Sequence, residues 1–173
     1  MLRKNHDKNM ALIHHSDLAD IRKKFAGKKI VFVSGVFDLT HPGHVLFLED
    51  SKNLGDILVA AVGDDASIKE LKGGGRPLFN EHMRMKMVSA IKPVDFCFLA
   101  PAPPGQPLSY IDRVFGQLKP DIYAVNDDAF DIPARQQMAD KHGVRLEVLK
   151  RTCPPEFDNV STTKLIGKIK KQQ

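Results

Sequence analysis

The stretch Lys29-Ile30-Val31-Phe32-Val33-Ser34-Gly35-Val36-Phe37-Asp38-Leu39-Thr40-His41-Pro42-Gly43-His44 decides the fold of this chain. It begins as a continuous apolar run, which is typical of a strand covered on both faces of a sheet. It ends on His41-Pro42-Gly43-His44, where a helix is expected to begin. Ligands of open α/β sheets bind beyond the carboxyl ends of the strands, and imidazoles with helix-start N–H groups suit a polyphosphate. The stretch therefore predicts a phosphate site at a strand-to-helix turn.

Strand and helix patterns alternate along the rest of the chain. The predicted strands are 29–34, 57–62, 94–99, 122–125 and 144–149, and the predicted helices are 16–25 (capped by Ser16), 43–54, 66–71, 81–91, 108–118, 132–142 and one beginning after Ser161. Such alternation with right-handed crossovers gives a parallel sheet. We expect a Rossmann-like α/β fold with a five-stranded parallel sheet and helices on both faces, preceded by loosely ordered residues up to about residue 15.

Composition excludes several classes of protein. The chain has 173 residues, of which 42% are hydrophobic and 27% charged, as in a one-domain globular protein. Its longest apolar runs are too short to span a bilayer, and the N-terminus lacks the apolar core of a signal peptide. We therefore expect a cytoplasmic protein with no membrane partner. Cys97 and Cys153 form no CxxC or metal-ligand spacing, so neither a disulfide nor a protein-bound metal is expected.

Charge points to small anionic ligands. The formal net charge is +5, which suits an anionic partner. Aromatic residues are scarce and are not interleaved with the basic ones, which speaks against nucleic acid. Phosphorylated small molecules are thus the expected ligands.

The histidine motif is the first candidate site. Gly35 lets the backbone turn closely at the strand end, and Gly43 lets it approach a phosphate without a Cβ in the way. His41 and His44 can point to the same side of the helix and donate hydrogen bonds to phosphate oxygens. The alternative is a turn with two incidental surface histidines, which the complete string after a buried strand disfavours.

This string resembles the HxGH signature of the cytidylyltransferase-like nucleotidyltransferases, relatives of the class I aminoacyl-tRNA synthetase catalytic domain. Within that superfamily the chain is most similar to the adenylyltransferases that act on D-glycero-β-D-manno-heptose 1-phosphate in ADP-heptose synthesis. Glycerol-3-phosphate and ethanolamine-phosphate cytidylyltransferases come next. The similarity implies a nucleotidyltransferase domain over 28–173, after an extension and helix over 1–27. It also implies the following roles: His41 and His44 catalytic, and Gly35, Val36, Phe37 and Gly43 nucleotide-binding.

A glycine-rich loop, Leu71-Lys72-Gly73-Gly74-Gly75-Arg76-Pro77, is the second candidate. Such a loop is often only a flexible turn, but with a lysine and an arginine it can close cations over a triphosphate. The heptose adenylyltransferases carry a similar LKGxxRP string, with another arginine eight residues after that of the RP pair. The resemblance implies that Lys72 is catalytic and that Arg76 and Arg84 bind the nucleotide.

The third candidate is Ser161-Thr162-Thr163 at the start of the last helix, which can bind an anion or simply cap the helix. The superfamily has an STT motif here that binds the nucleotide phosphates. Asn126 and Asp128 are also expected at the nucleotide site. Their segment departs from the lysine and paired glycines of the heptose enzymes and looks more like the glycerol-3-phosphate enzymes. Asp64 and Asp65 are expected to cap the next helix.

The resemblance implies transfer of NMP from an NTP, with ATP favoured, to a phosphorylated sugar such as heptose 1-phosphate, with release of pyrophosphate. Mg²⁺ is the expected cofactor, held on the β- and γ-phosphates with few protein ligands. A CTP-dependent cytidylyltransferase acting on glycerol 3-phosphate or a related phospho-alcohol stays open. So do an FAD- or coenzyme-type adenylyltransferase and a non-catalytic nucleotide-binding domain. A homodimer and a separate sugar kinase are the other expected partners.

Overall fold

The computed structural model describes residues 11–158 and 160–172. All strand pairs in its sheet are parallel, and the order is β1-β4-β3-β2-β5-β6. The strands are β1 (Ala11–Leu12), β2 (Ile30–Gly35), β3 (Ile57–Gly63), β4 (Phe96–Ala100), β5 (Ile122–Asn126) and β6 (Arg145–Leu149). The helices are α1 (Leu18–Lys24), α2 (Pro42–Lys52), α3 (Asp65–Lys72), α4 (Glu81–Ser89), α5 (Ser109–Leu118), α6 (Ile132–His142) and α7 (Thr162–Lys170). The predicted Rossmann-like parallel sheet is confirmed, and β1 adds a strand to it.

The expectation of loose order up to about residue 15 is wrong for residues 11–15, while residues 1–10 lie outside the described part of the chain. Leu12 is in register with Cys97, and the Ile13 amide donates to the Cys97 carbonyl at 3.0 Å. His14, not Ser16, provides the side-chain cap before α1: its Nδ1 accepts from the Ser16 amide at 3.3 Å, and a 3-10 turn, His15–Asp17, follows. A two-residue strand is too short to show an alternating pattern, so the sequence could not indicate it.

Two apolar cores cover the two faces of the sheet. Alternation along β2 sends Phe32 to the face that packs against α1, α5 and α6, and sends Val31 and Val33 to the face of α2 and α4. These three side chains are fully buried. The same alternation places Ser34 on the Phe32 face, where its hydroxyl lies 2.8 Å from the Tyr123 hydroxyl.

The strand order reverses at β2, and this reversal positions the site. From β2 the chain proceeds through β3 and β4 on one side, then returns to β5 and β6 on the other. Such a switch point opens a crevice at the carboxyl ends of the strands.

Along the described part of the chain, no helix is both long and apolar enough to cross a membrane.

Candidate active site

A cleft of about 330 Å³ lies at the carboxyl ends of β2, β3 and β5. Most residues that the sequence assigned to the site line it: Gly35, Val36, Phe37, His41, Gly43, His44, Lys72, Arg76, Asn126, Asp128, Ser161, Thr162 and Thr163. They come from four separate turns and helix starts. The fold therefore brings the three sequence motifs to one place.

The loop from β2 to α2 has a strained and closely packed backbone. Phe37 and Leu39 have φ angles of 52° and 46°, which non-glycine residues rarely adopt and which cluster at functional sites. A Cβ on Gly35 would lie 2.9 Å from Cε2 of Phe37, and one on Gly43 would lie 3.0 Å from Cε1 of His41. Both glycines therefore make room for side chains of the site itself, the second one for the His41 ring.

The two histidines of the motif stack at the start of α2. His41 precedes the helix, its ring centroid lies 4.0 Å from that of His44, and its backbone N–H donates to Nδ1 of His44 at 3.3 Å. Because Nδ1 of His44 accepts a hydrogen bond, the proton of the neutral ring resides on Nε2. Nδ1 of His41 is buried and has no hydrogen-bond partner among the described residues.

Both imidazoles are neutral near pH 7. Burial lowers the pKa of His44 to about 3, with the neighbouring His41 and Arg151 adding to the effect. Burial and the charge of Arg151 also lower the pKa of His41. The His44 ring can therefore donate from Nε2 to an anion in the cleft without itself carrying a charge. It cannot act as a general acid at neutral pH, because the acidic imidazolium form is not populated and the Nε2 proton of the neutral ring is too weakly acidic to be transferred.

The buried histidines also make stability depend on pH. As the pH falls from about 6.5 towards 3, unfolded His44 takes up a proton that the native ring does not, so the free energy of unfolding should fall. The hydrogen-bonded carboxylates of Asp38 and Asp64 also have lowered pKa values, so their protonation destabilises the fold only when the pH falls below the ordinary carboxyl range. Urea unfolding at about pH 7 and pH 4.5 should show this loss, and His44→Asn should reduce it. An equal loss in the variant would contradict the assignment.

Asp38 joins the glycine-rich loop and the start of α7 to this centre. Its side chain is buried and accepts from Arg76 Nε and the Leu78 amide, each at 2.9 Å, and from the Phe79 amide at 3.0 Å. Burial opposes ionisation, but these donors outweigh it and hold the pKa of Asp38 below its usual value. Its backbone carbonyl accepts from Thr162 Oγ1 at 2.9 Å. One residue thus ties both phosphate-binding candidates to the histidine loop.

Lys72 lies at the open side of the cleft, as the last residue of α3. It is exposed and makes no hydrogen bond or ion pair with a described residue. Gly73, Gly74 and Gly75 follow it in open space, with nothing within 4 Å of where a Cβ would lie. The ammonium group is therefore free to approach a ligand in the cleft.

The start of α7 closes the cleft on the side of α2. Ser161 precedes the helix, and its hydroxyl accepts from the Lys164 amide at 3.3 Å. Thr162 is bonded to Asp38, and Thr163 lines the cleft. The sequence left capping and anion binding as alternatives here. The Ser161 hydroxyl does cap the helix, while the positive end of its dipole faces the cleft.

Comparison with known proteins gives the family. Residues 32–168 match the cytidylyltransferase-like family. The chain belongs to this family of nucleotidyltransferases. Two curated relatives are bifunctional proteins HldE, from Desulfatibacillum aliphaticivorans (35% identical over 156 residues) and from Citrifermentans bemidjiense (34% over 163 residues). The matches cover 90% and 94% of this chain but 29% and 31% of those proteins. The chain thus spans less than a third of the length of these relatives.

Solved structures agree with this assignment. A lipopolysaccharide core biosynthesis protein from Thermoplasma volcanium is 31% identical, with a TM-score of 0.59 over 76% of this chain and 100% of that one. A pantoate-beta-alanine ligase from Francisella tularensis has a TM-score of 0.65 at 16% identity, over 96% of this chain and 80% of that one. The second likeness concerns the fold alone. The resemblance read from the HPGH string is therefore confirmed.

Among the described residues of this cytidylyltransferase-like domain, Arg84 is the one predicted site residue that does not line the cleft. It is fully buried in α4. Its guanidinium donates to the Val36 carbonyl (2.6 Å), the Phe79 carbonyl (2.9 Å) and Oδ1 of Asp65 (2.6 Å). The LKGxxRP resemblance implied that Arg84 contacts the nucleotide, but the buried side chain positions the neighbouring backbone instead. Arg84 holds Val36, which does line the cleft.

The two aspartates after β3 have separate roles in the domain. Asp64 caps α3: it accepts from the Ser67 amide at 2.8 Å and also from the Ala102 amide at 2.9 Å. Asp65 instead forms an ion pair with Arg84. The predicted cap is thus present, and the second carboxylate serves the buried arginine.

Two cleft arginines were not assigned to the site from the sequence. Arg151 follows β6 and pairs with Asp128 at 2.6 Å. Its charge also contributes to the lowered pKa values of His41 and His44. The second is Arg135 on α6. Arg151 is followed by Thr152, and this dipeptide resembles an Arg-Thr pair of the cytidylyltransferases, whereas a helical arginine amid polar residues gave no signal for Arg135.

Proposed function

We propose that this domain transfers a nucleotidyl group from a nucleoside triphosphate, with ATP favoured, to a phosphorylated sugar such as heptose 1-phosphate, and releases pyrophosphate. The observation that carries the proposal is the convergence of three anion-binding elements on one cleft. These are the stacked pair His41 and His44, the free Lys72 and the N-terminus of α7. Together they offer neutral donors, an exposed cation and a helix dipole to a polyphosphate.

The chemistry needs no general base. An oxygen of the acceptor phosphate attacks the α-phosphorus, a new O–P bond forms, and the bond to the β-phosphate oxygen breaks. A phosphate monoester has a second pKa of about 6, so it is largely dianionic near neutral pH and brings no proton to remove. Pyrophosphate leaves with the bonding electron pair. Catalysis then consists of aligning two anions and stabilising charge, which suits histidines that are neutral near pH 7.

Each element has a role in this scheme. Nε2 of His44, which carries the ring proton, donates to an α-phosphate oxygen as its charge grows. His41 contributes the second donor beside it. Lys72 neutralises charge between the α- and β-phosphates, and residues 161–163 hold the triphosphate tail at the start of α7. Arg76 is held by Asp38 so that its loop stays next to the phosphates.

Magnesium is the proposed cofactor. Among residues 11–158 and 160–172, no group of three His, Cys, Asp or Glu side chains could hold a metal ion. The cleft carboxylates Asp38 and Asp128 are each paired with an arginine. The ion would therefore enter on the β- and γ-phosphate oxygens, keep several waters and neutralise charge there. No residue of this chain is assigned as its ligand.

The choice of ATP and a sugar phosphate rests on similarity. The LKGxxRP-like loop favours the heptose adenylyltransferases, and a protein of lipopolysaccharide core biosynthesis is 31% identical. A cytidylyltransferase acting on glycerol 3-phosphate is the second candidate. It is favoured by Asn126-Asp127-Asp128 after β5 and by Arg151, which pairs with Asp128.

Pyrophosphate release tests the proposal. Wild-type protein with magnesium would be given ATP or CTP, each with heptose 1-phosphate, glycerol 3-phosphate or phosphoethanolamine. Release with ATP and the heptose alone is expected. Release with CTP alone would move the chain to the cytidylyltransferases. Binding of ATP with no release from any pair would contradict the enzyme assignment and favour a nucleotide-binding domain.

Lys72→Met removes a cation of the cleft that forms no ion pair with a described residue. We expect kcat/KM for the NTP to fall about a hundredfold, because a donor aimed at developing charge contributes on that scale. Lys69→Met is the matched control: Lys69 is exposed on the same helix and does not line the cleft. Steady-state pyrophosphate release measures both variants. Equal activity of the two would exclude Lys72 from the reaction.

A further inference from the structure

Arg135 is a buried cation at the wall of the cleft. Only 8% of its surface is exposed. Nε donates to the Phe130 carbonyl at 2.7 Å, and Nη1 donates to Ser34 Oγ at 3.3 Å and to the Tyr123 hydroxyl. Nη2 has no hydrogen-bond partner among the described residues. Two neutral hydroxyls and a carbonyl therefore orient the guanidinium and leave one amine for a ligand.

Among the described residues, no anionic side chain balances this charge. In the described chain, Arg135 forms no salt bridge, whereas the cleft arginines Arg76 and Arg151 pair with Asp38 and Asp128. Tyr123 cannot supply the countercharge, because burial raises the pKa of its hydroxyl above the usual value. A buried cation without a counterion is costly. A cleft whose wall holds such a cation without a protein counterion suits an anionic ligand.

The position of Arg135 separates it from the nucleotide phosphates. Ser34 and Tyr123 belong to the face of the sheet that packs against α5 and α6, since Tyr123 lies in the same core as Phe32. His41 and His44 begin α2, whose buried residues pack on the opposite face. The cleft thus presents cationic or donor groups on both sides of the sheet edge. Two separate anion sites suit an in-line displacement at phosphorus, in which the attacking and leaving oxygens lie on opposite sides of the phosphorus atom.

We propose that Arg135, oriented by Ser34 and Tyr123, binds the phosphate of the acceptor, opposite the histidines that bind the nucleotide. The proposal rests on the function above and assigns a residue to the recognition of the acceptor's phosphate monoester. Arg135 accordingly acts in acceptor binding and positioning. Its loss should weaken acceptor binding while leaving nucleotide binding unchanged.

The test separates the two anion sites by binding. Inorganic phosphate is the probe, since every candidate acceptor carries this group. Calorimetric titrations would use magnesium and a saturating ATP analogue with a methylene α,β-bridge, which occupies the nucleotide site and cannot transfer. The proteins are wild type, Arg135→Gln, Arg135→Lys and the control Arg145→Met, which removes an exposed arginine paired with Glu147. Circular dichroism and binding of the analogue itself report the folding of each protein.

Loss of one charge-assisted contact should weaken phosphate binding by about tenfold or more in Arg135→Gln. Arg135→Lys should retain part of the affinity, and Arg145→Met all of it. Equal phosphate affinity in wild type and Arg135→Gln would overturn the proposal. So would absence of phosphate binding by wild type, or loss of the ATP analogue rather than phosphate in the variant. If Arg135→Gln does not fold, the comparison of Arg135→Lys with wild type decides.

Failure of the proposed function would look different. Wild type would then not bind the ATP analogue, and titrations without it would still show phosphate binding that depends on Arg135. Kinetics give the second readout where turnover is present. Arg135→Lys should raise KM for the acceptor and leave KM for the NTP unchanged. A change confined to KM for the NTP would assign Arg135 to the nucleotide.

Discussion

His44→Ala is expected to lower kcat for nucleotidyl transfer by about a thousandfold, at the upper end of what removal of one preorganised donor costs. The reason is geometric. Nδ1 accepts the His41 backbone N–H at 3.3 Å, which leaves Nε2–H as the donor, and the pKa of about 3 keeps the ring neutral. Alanine removes the donor and also the stacking partner of His41, 4.0 Å away.

Single-turnover measurement of NMP transfer tests this effect directly. The control is His82→Ala, since His82 is exposed on α4 and does not line the cleft. KM for the NTP should change much less than kcat, because the contact strengthens as charge develops in the transition state. A His44→Ala variant with nearly wild-type kcat would remove the histidine pair from the mechanism.

Arg84→Met is expected to have the largest effect on stability, a loss of about 3–5 kcal/mol in the free energy of unfolding. The substitution strips donors from two backbone carbonyls, those of Val36 and Phe79, and breaks the pair with Asp65. Unsatisfied carbonyls next to a fully buried methionine cannot be solvated. The Val36 loop should also loosen, which would raise KM for the NTP.

Urea unfolding followed by circular dichroism measures this loss. Arg113→Met is the matched control, because Arg113 is exposed and donates only to the Pro101 carbonyl, at 3.0 Å. We expect the control to change stability by less than about 0.5 kcal/mol. A loss below about 1 kcal/mol in Arg84→Met would show that the buried network is not what holds the β2–α2 loop.

Local sequence patterns predicted most of the fold and part of the candidate site. The apolar run before Gly35 indicated a buried strand because both faces of a parallel sheet are covered. His41 and His44 could be identified as a candidate pair because side chains three residues apart share one face at a helix start. Such features are local, so a single sequence displays them. The short edge strand Ala11–Leu12 was not readable, since its only support is pairing with β4.

The roles of Arg84 and Arg135 could not be predicted, because they depend on contacts between residues far apart in the sequence. Arg84 keeps the family spacing after Arg76, yet it turns inward to Val36, whose distance along the chain is 48 residues. Arg135 is separated from Ser34 by 101 residues. Nothing near either arginine in the sequence reveals these partners. Burial and hydrogen-bond geometry therefore decide which cation is structural and which can face a ligand.

Isotope transfer tests the central claim most directly. Heptose 1-phosphate labelled with ¹⁸O in its non-bridging phosphate oxygens would be incubated with ATP, magnesium and the wild-type protein, and the products analysed by mass spectrometry. Attack of the acceptor phosphate on the α-phosphorus predicts that all label stays in the nucleotide sugar and none enters pyrophosphate. Label in pyrophosphate, or absence of a nucleotide sugar, would contradict the account.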